Sequence, residues 1–267
     1  MKINNIFYKL IIIFALVSQT LSRIIVVADI HADIHKFKRI LKDAKVIDKH
    51  DNWIAEKNTS VIQLGDQIDA KYPIHKTYEY EMLYFTEELR KMAENNNSTF
   101  ISLIGNHELI NIDKIKRNNI LKNIIASRPI LYKKDRYIYC HGMFNIFHYR
   151  LMKVFNITIN DLNSIWSRYV LDIPQNDKKD EYLLQKLVFN HNSILYNRIP
   201  DNLENINYIF NNLQVDYLFV GHTITENIHM KNKIWYLDLL LNDAFEKSSY
   251  NYIQIKDNDI IIKHLTK

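Results

Sequence analysis

Five apolar runs of this chain end in side chains that bind metals or move protons. Asp29 and His31 follow RIIVVA, Asp66 and Asp69 follow VIQLG, Asn106 and His107 follow ISLIG, His141 follows YIYC, and His222 follows LFVG. Oxygen and imidazole ligands without a thiolate suit manganese, iron or zinc, and the residue types do not choose among them. Any one of these residues alone reads as a cap, a turn former or a satisfied core histidine. Five strand ends carrying them together read as one site, because open α/β sheets bind ligands beyond the carboxyl ends of their strands.

The elements that must hold such a site are legible around it. The five runs are short, β-branched and aromatic, as are IWYLDL and the terminal YIQIKDNDIIIKHL. They predict buried strands, the last a hairpin turning at Asp257 to Asp259. Between them, Phe37, Ile40, Leu41 and Ala44 form one apolar helical face, and Tyr78, Met82, Phe85, Leu89 and Met92 form another. Strands alternating with helices predict α/β layers. With 267 residues, 47% hydrophobic and 24% charged, and with no repeat or low-complexity tract, one domain is expected.

The first 22 residues differ. MKINNIFYK supplies Lys2 and Lys9, LIIIFALV is a short apolar core, and SQTLS is small and polar before Arg23. This is signal-peptide grammar. A membrane-spanning anchor, the alternative, needs about 20 apolar residues. The expectation is cleavage near Ser22, a folded domain over residues 23–267, and a lumenal or extracellular place in the secretory pathway. A membrane is a partner only if the segment is retained. Without Lys2 and Lys9 the cations fall from 35 to 33 against 30 anions, too slight an excess to argue for nucleic acid. Cys140 is the only cysteine, so no intramolecular disulfide can form. Sequons at Asn58, Asn96, Asn97 and Asn156 fit secretion, but an Asn-rich chain makes several by chance.

The motifs DIH, GDQID, GNHE, CHG and GHT, in this order, resemble those of the calcineurin-like metallophosphoesterases. The wider context, including LIGNHELIN, SILYNR, VGHT and LDLLLNDAF, is similar to the Shewanella-like branch of the phosphoprotein phosphatases. The resemblance runs from Arg23 to about Phe245. It implies an αββα sandwich of two mixed β-sheets flanked by helices. It also implies a metal-dependent phosphomonoester hydrolase whose substrate is a phosphorylated protein or a small phosphoester.

Two divalent ions about 3.5–4 Å apart can clamp a phosphoryl group and turn a water into hydroxide, which attacks phosphorus without a phosphoenzyme. That chemistry needs a bridging carboxylate, and Asp66 is its match. By resemblance, Asp29 and His31 complete one metal's ligands, and Asn106, His141 and His222 join Asp66 at the other. His107 corresponds to the proton donor for the leaving group and Asp69 to the carboxylate that orients it. Arg198 corresponds to a phosphate-gripping arginine, and Asn106 also faces substrate. The chain departs from the family at Ala70-Lys71, where Arg-Gly is usual. Lys71 is either a surrogate clamp or a solvated loop residue. Ala32 and Met143 likewise stand where glycines are common.

Nucleases and related esterases of the superfamily commonly end in Gly-His-x-His, and Ile224 replaces that last histidine. A nucleotide or dinucleotide polyphosphate hydrolase of the diadenosine-tetraphosphatase type is the nearest enzymatic alternative. A noncatalytic interaction module is a lesser one, since such modules typically lose ligands or the proton donor, and this chain keeps the whole set.

Overall fold

The computed structural model describes residues 22–70, 78–175, 177–239 and 250–265. Lys71, nearly all of the N-terminal segment and the end of LDLLLNDAF lie outside them.

Two five-stranded sheets form the centre. In the first the order is β10-β9-β1-β2-β3, with β1 Arg23–Val27, β2 Thr59–Gln63, β3 Thr99–Ser102, β9 Tyr250–Lys256 and β10 Asp259–Leu265. Here β1, β2 and β3 are parallel, while β9 and β10 run antiparallel. In the second the order is β4-β5-β6-β8-β7, with β4 Leu131–Lys134, β5 Tyr137–Cys140, β6 Tyr217–Val220, β7 His229–Lys231 and β8 Ile234–Tyr236. The β5, β6 and β8 strands are parallel and β4 and β7 are antiparallel edges.

Alternation along the strands makes the layers. Ile24, Val26, Ile62 and Ile253 of the first sheet meet Tyr137, Tyr139 and Phe219 of the second in one buried cluster. Their neighbours Ile25, Val27 and Val61 point the other way, against helix α1 (Ile34–Asp43) and helix α2 (Tyr78–Asn95). On the far side of the second sheet, Ile138, Leu218 and Val220 pack against the remaining helices. These are α3 Asn106–Ile110, α4 Ile112–Lys116, α5 Asn119–Ala126, α6 Ile146–Val154, α7 Ile159–Val170, α8 Lys178–Leu184 and α9 Leu203–Leu213, with a π-helical turn at Gln185–Phe189. The result is the αββα sandwich.

Two expectations change in detail. The terminal hairpin turns at Asp257-Asn258, both with positive φ as a type I′ turn needs. Its second strand is not buried: β10 is a sheet edge whose side chains alternate between exposed and half-buried. The α1 face is as expected, with Phe37, Ile40 and Leu41 fully buried. Among the described residues no helix is long and apolar enough to cross a membrane.

Candidate active site

The loops after β1, β2, β3, β5 and β6 meet at one edge of the sandwich. The β1 and β2 loops are tied by backbone bonds: Ile30 N–H and His31 N–H both donate to Asp66 O at 3.0 Å, and Ala32 N–H donates to Gln67 O at 2.7 Å. His31, Ala32, Asp66, Asp69 and His222 all have φ between 49° and 67°. Non-glycine residues held there carry strain, which concentrates at functional sites.

Asp66 is the hub. Its Oδ1 accepts the His107 backbone N–H at 2.9 Å and lies 3.3 Å from His141 Nε2. Its Oδ2 lies 3.7 Å from His107 Nε2 and 4.0 Å from His31 Nε2. Two triplets with clustered ligand atoms result, His31–Asp66–His107 and Asp66–His141–His222, sharing Asp66. Asn106 Oδ1 lies 2.8 Å from His141 Nε2. Asp29 belongs to neither triplet. It accepts the His222 backbone N–H at 3.2 Å and stands 3.9 Å from His141 Nδ1. His107 falls inside the first triplet through Nε2, while its Nδ1 is bonded to Asp69 Oδ2.

Carbonyls fix the imidazoles. His141 Nδ1 donates to Leu64 O at 2.9 Å, and Nε2 faces Asp66 and Asn106. His222 Nε2 faces Tyr196 O at 3.2 Å, which leaves Nδ1 as its acceptor nitrogen. Burial opposes a charge on His141, but Asp66 and Asp29 outweigh it and push its pKa up to about 10. Burial, with His141 and Arg198 adding, pushes His222 down to about 3. Burial, reinforced by Asp238, lifts Asp29, whereas His141, His107 and His31 hold Asp66 low against its own burial.

This donor set fits a pair of divalent ions. Two buried carboxylates whose nearby charge partners are titrating histidines are costly on their own and favourable around cations. Glycine makes the space: a Cβ on Gly105 would fall on the Asp66 carboxylate, and one on Gly221 would fall on Asp29 Oδ1.

Glu108 is the site residue that sequence reasoning missed. Its fully buried carboxylate accepts four backbone N–H groups, from Gly105 (2.8 Å) and Asp66 (2.9 Å) on one oxygen and from Gln67 (2.7 Å) and Ile68 (3.2 Å) on the other. It locks the Asp66 loop to the start of α3. A glutamate at the third position of a short helix signals a capping role; the reach across to the β2 loop has no sequence signature.

Arg198 is exposed and its Nε donates to His222 O at 3.3 Å, which turns the guanidinium beside the histidine cluster. A groove of about 450 Å³ adjoins it, lined by Phe147, Lys186, Asn197 and Ile199. Ala70 N–H donates to Glu79 Oε1 at 3.2 Å. Ala32 is fully buried with φ 61°, the conformation for which glycine is the usual residue. Met143 is buried, and its N–H donates to Asn197 O at 2.9 Å, linking the His141 loop to the Arg198 segment.

Residues 22–226 match the profile of the calcineurin-like phosphoesterase family, a span that contains every residue of the cluster. Shewanella-like protein phosphatase 1 of Plasmodium berghei is 25% identical over 89% of this chain and 73% of its own length. Shewanella-like protein phosphatase 2 of Arabidopsis thaliana is 34% identical over 34% of this chain and 22% of its own. In fold, the chain is similar to the cold-active protein-tyrosine phosphatase of a psychrophilic Shewanella species, with TM-score 0.71 and 18% identity over 92% of this chain and 81% of that one. A serine/threonine phosphatase of Saccharomyces cerevisiae gives TM-score 0.61 and 14% identity over 94% and 81%.

Proposed function

The chain belongs to the calcineurin-like phosphoesterase family, hydrolases of phosphoric ester bonds, and on that premise we propose that it is a protein phosphatase of the Shewanella-like type. The observation that carries this reading is the pair of ligand triplets sharing Asp66, with the His107–Asp69 pair beside them. Asp29, His31, Asp66, Asn106, His141 and His222 would hold two divalent ions. When bound, such ions supply Lewis acidity toward the phosphoryl oxygens and an activated nucleophile at neutral pH.

The remaining work falls to the protein. Asp69 accepts the Nδ1 hydrogen of His107 and so fixes which nitrogen faces the cluster. In its imidazolium form His107 gives the Nε2 proton to the departing oxygen and is left as the Nδ1–H tautomer that Asp69 holds. Arg198 grips the phosphate with the nitrogens that its Nε bond to His222 O leaves outward. Phosphorylated protein is the favoured substrate because the two curated relatives described above are named protein phosphatases. In the same reading, the N-terminal segment directs the chain into the secretory pathway, and finding Met1 to Ser22 on detergent-extracted protein would replace that with an anchor.

The deciding experiment loads the purified protein with manganese, iron or zinc. It then compares turnover of phosphotyrosine and phosphoserine peptides, an aryl phosphate and diadenosine tetraphosphate. Preference for the dinucleotide would move the chain to the polyphosphate hydrolases, and no turnover with both metals bound would make it an interaction module.

A further inference from the structure

Beneath the cluster lies a buried cation that touches neither ligand nor substrate position. Arg128 follows α5, is 5% exposed and donates from Nη2 to Thr86 Oγ1 of α2 at 2.8 Å. The Thr86 hydroxyl lies 3.1 Å from Gln67 Oε1 and, along its own helix, 2.9 Å from Met82 O. Gln67 is wholly buried, adjoins Asp66, and gives its backbone N–H to Glu108. The next residue, Pro129, accepts the Ile104 N–H at 3.0 Å, so the Arg128 segment is fastened to the strand end that leads into Gly105 and Asn106.

Burial brings Arg128 down only to about 10, so it stays charged at neutral pH. Glu87, on the same helix as Thr86, has both its oxygens bonded to Arg90, at 2.9 and 2.8 Å, which leaves the Thr86 hydroxyl as the group that holds the Arg128 side chain.

We infer that Arg128 is a positioning residue for the metal site: through the Thr86–Gln67 link and the bond between Pro129 and Ile104 it holds the Asp66 loop in its ligating shape. The inference rests on the metal-site reading given above. Residues that orient metal ligands from behind typically change affinity 10- to 100-fold when removed. Removing Arg128 removes the hydrogen bond that anchors Thr86 beside Gln67, which relaxes the adjoining Asp66 without altering any ligand atom.

The test is calorimetric titration of metal-free protein with manganese, for wild type, Arg128→Met, Arg128→Lys and Thr86→Val, with melting temperatures of the metal-free and loaded forms. The expected result is manganese affinity weaker by about tenfold or more in Arg128→Met, partial rescue in Arg128→Lys, and a smaller loss in Thr86→Val. KM for an aryl phosphate at saturating manganese should stay within about twofold, because no substrate contact changes. Wild-type affinity in the variants, with melting temperatures lowered equally with and without metal, would overturn the inference and leave Arg128 a stabilising residue only. Should Arg128→Met fail to fold, Thr86→Val decides, since it keeps the shape of the side chain and removes only the hydroxyl. A wild-type protein that binds no manganese, iron or zinc would instead sink the metal-site reading, and this inference with it.

Discussion

His107 gives its Nδ1 hydrogen to the Asp69 carboxylate while its Nε2 stands 3.7 Å from Asp66 Oδ2. A carboxylate only accepts, so this contact selects the tautomer and aims Nε2 at the cluster. His107→Asn should keep both metals and lower turnover roughly 100-fold or more. Asp69→Asn should lower it less, about 10-fold or more, because the imidazole remains but its orientation is no longer imposed. Metal analysis beside aryl phosphate kinetics checks both. If His107→Asn stripped the metals, His107 would be a ligand, as its place in the first triplet allows.

The glycines give a second prediction. Gly105 abuts the Asp66 carboxylate and Gly221 abuts Asp29, so that even one methyl group would displace the oxygen in contact with it. Gly105→Ala should therefore behave like Asp66→Asn, with metal content well below wild type and turnover lost, although the substitution removes no ligand. Full metal occupancy in Gly105→Ala would mean that Asp66 is not the shared ligand.

A third prediction concerns pH. His148 on α6 is fully buried; Asn145 N–H donates to its Nδ1 at 3.1 Å, and its Nε2 hydrogen reaches Asn192 O at 2.7 Å. Burial holds its pKa down, from 6.5 to about 4. The unfolded chain therefore binds the extra proton first as pH falls. The stability carried by neutral His148 is complete above about pH 6.5 and is lost progressively toward pH 4, a cost of roughly 3 kcal/mol over that window. Denaturant titrations of metal-free wild type and His148→Gln at pH 7.5 and 4.5 should show a smaller acid loss in the variant. Equal losses would mean that other groups dominate.

Much of this site could be read from the chain because its candidate ligands follow strands that are continuous in sequence. Asp29, Asp66, Asn106, His141 and His222 each close an apolar run, and a parallel sheet brings such ends to one edge. The hairpin turn and the α1 face were legible for the same local reasons. What stayed hidden depends on distant partners. Glu108 and Arg128 look like surface charges in sequence, yet one is wholly buried and the other 5% exposed, because most of the backbone donors to Glu108 and the hydroxyl that accepts from Arg128 come from residues about 40 positions away. The β4 and β7 strands, LYKK and HMK, lack an apolar run because they are edges held by one neighbour each. The Ala32 conformation is likewise imposed from outside, by its backbone bond to Gln67 O.

The last prediction concerns Ala70 and Arg198. The family that this chain resembles usually has arginine where this chain has Ala70, which leaves Arg198 as the proposed phosphate-gripping arginine. The Arg198 guanidinium is exposed, has no carboxylate within 4.0 Å among those residues, and is steered by a single bond to His222 O. Charge-assisted bidentate contacts are among the stronger polar interactions. Arg198→Ala should therefore nearly abolish turnover of an aryl phosphate while metal content stays at the wild-type level. Ala70 is half-buried, and its N–H is held by Glu79, so the backbone there is already fixed for a longer side chain to extend from it. Ala70→Arg should raise kcat/KM for the aryl phosphate by adding the second fork, on the scale of one ionic hydrogen bond, about 1.5 kcal/mol or roughly tenfold. Lys71→Ala separates the two roles open to that lysine: a loss of about 1 kcal/mol or more in transition-state stabilisation makes it a surrogate clamp, and no change makes it a solvated loop residue. If Ala70→Arg leaves kcat/KM flat or lowers it with fold and metals intact, the site is not a weakened copy of its relatives. A substrate that fits against the small side chain at position 70 then becomes the better account of why alanine is there.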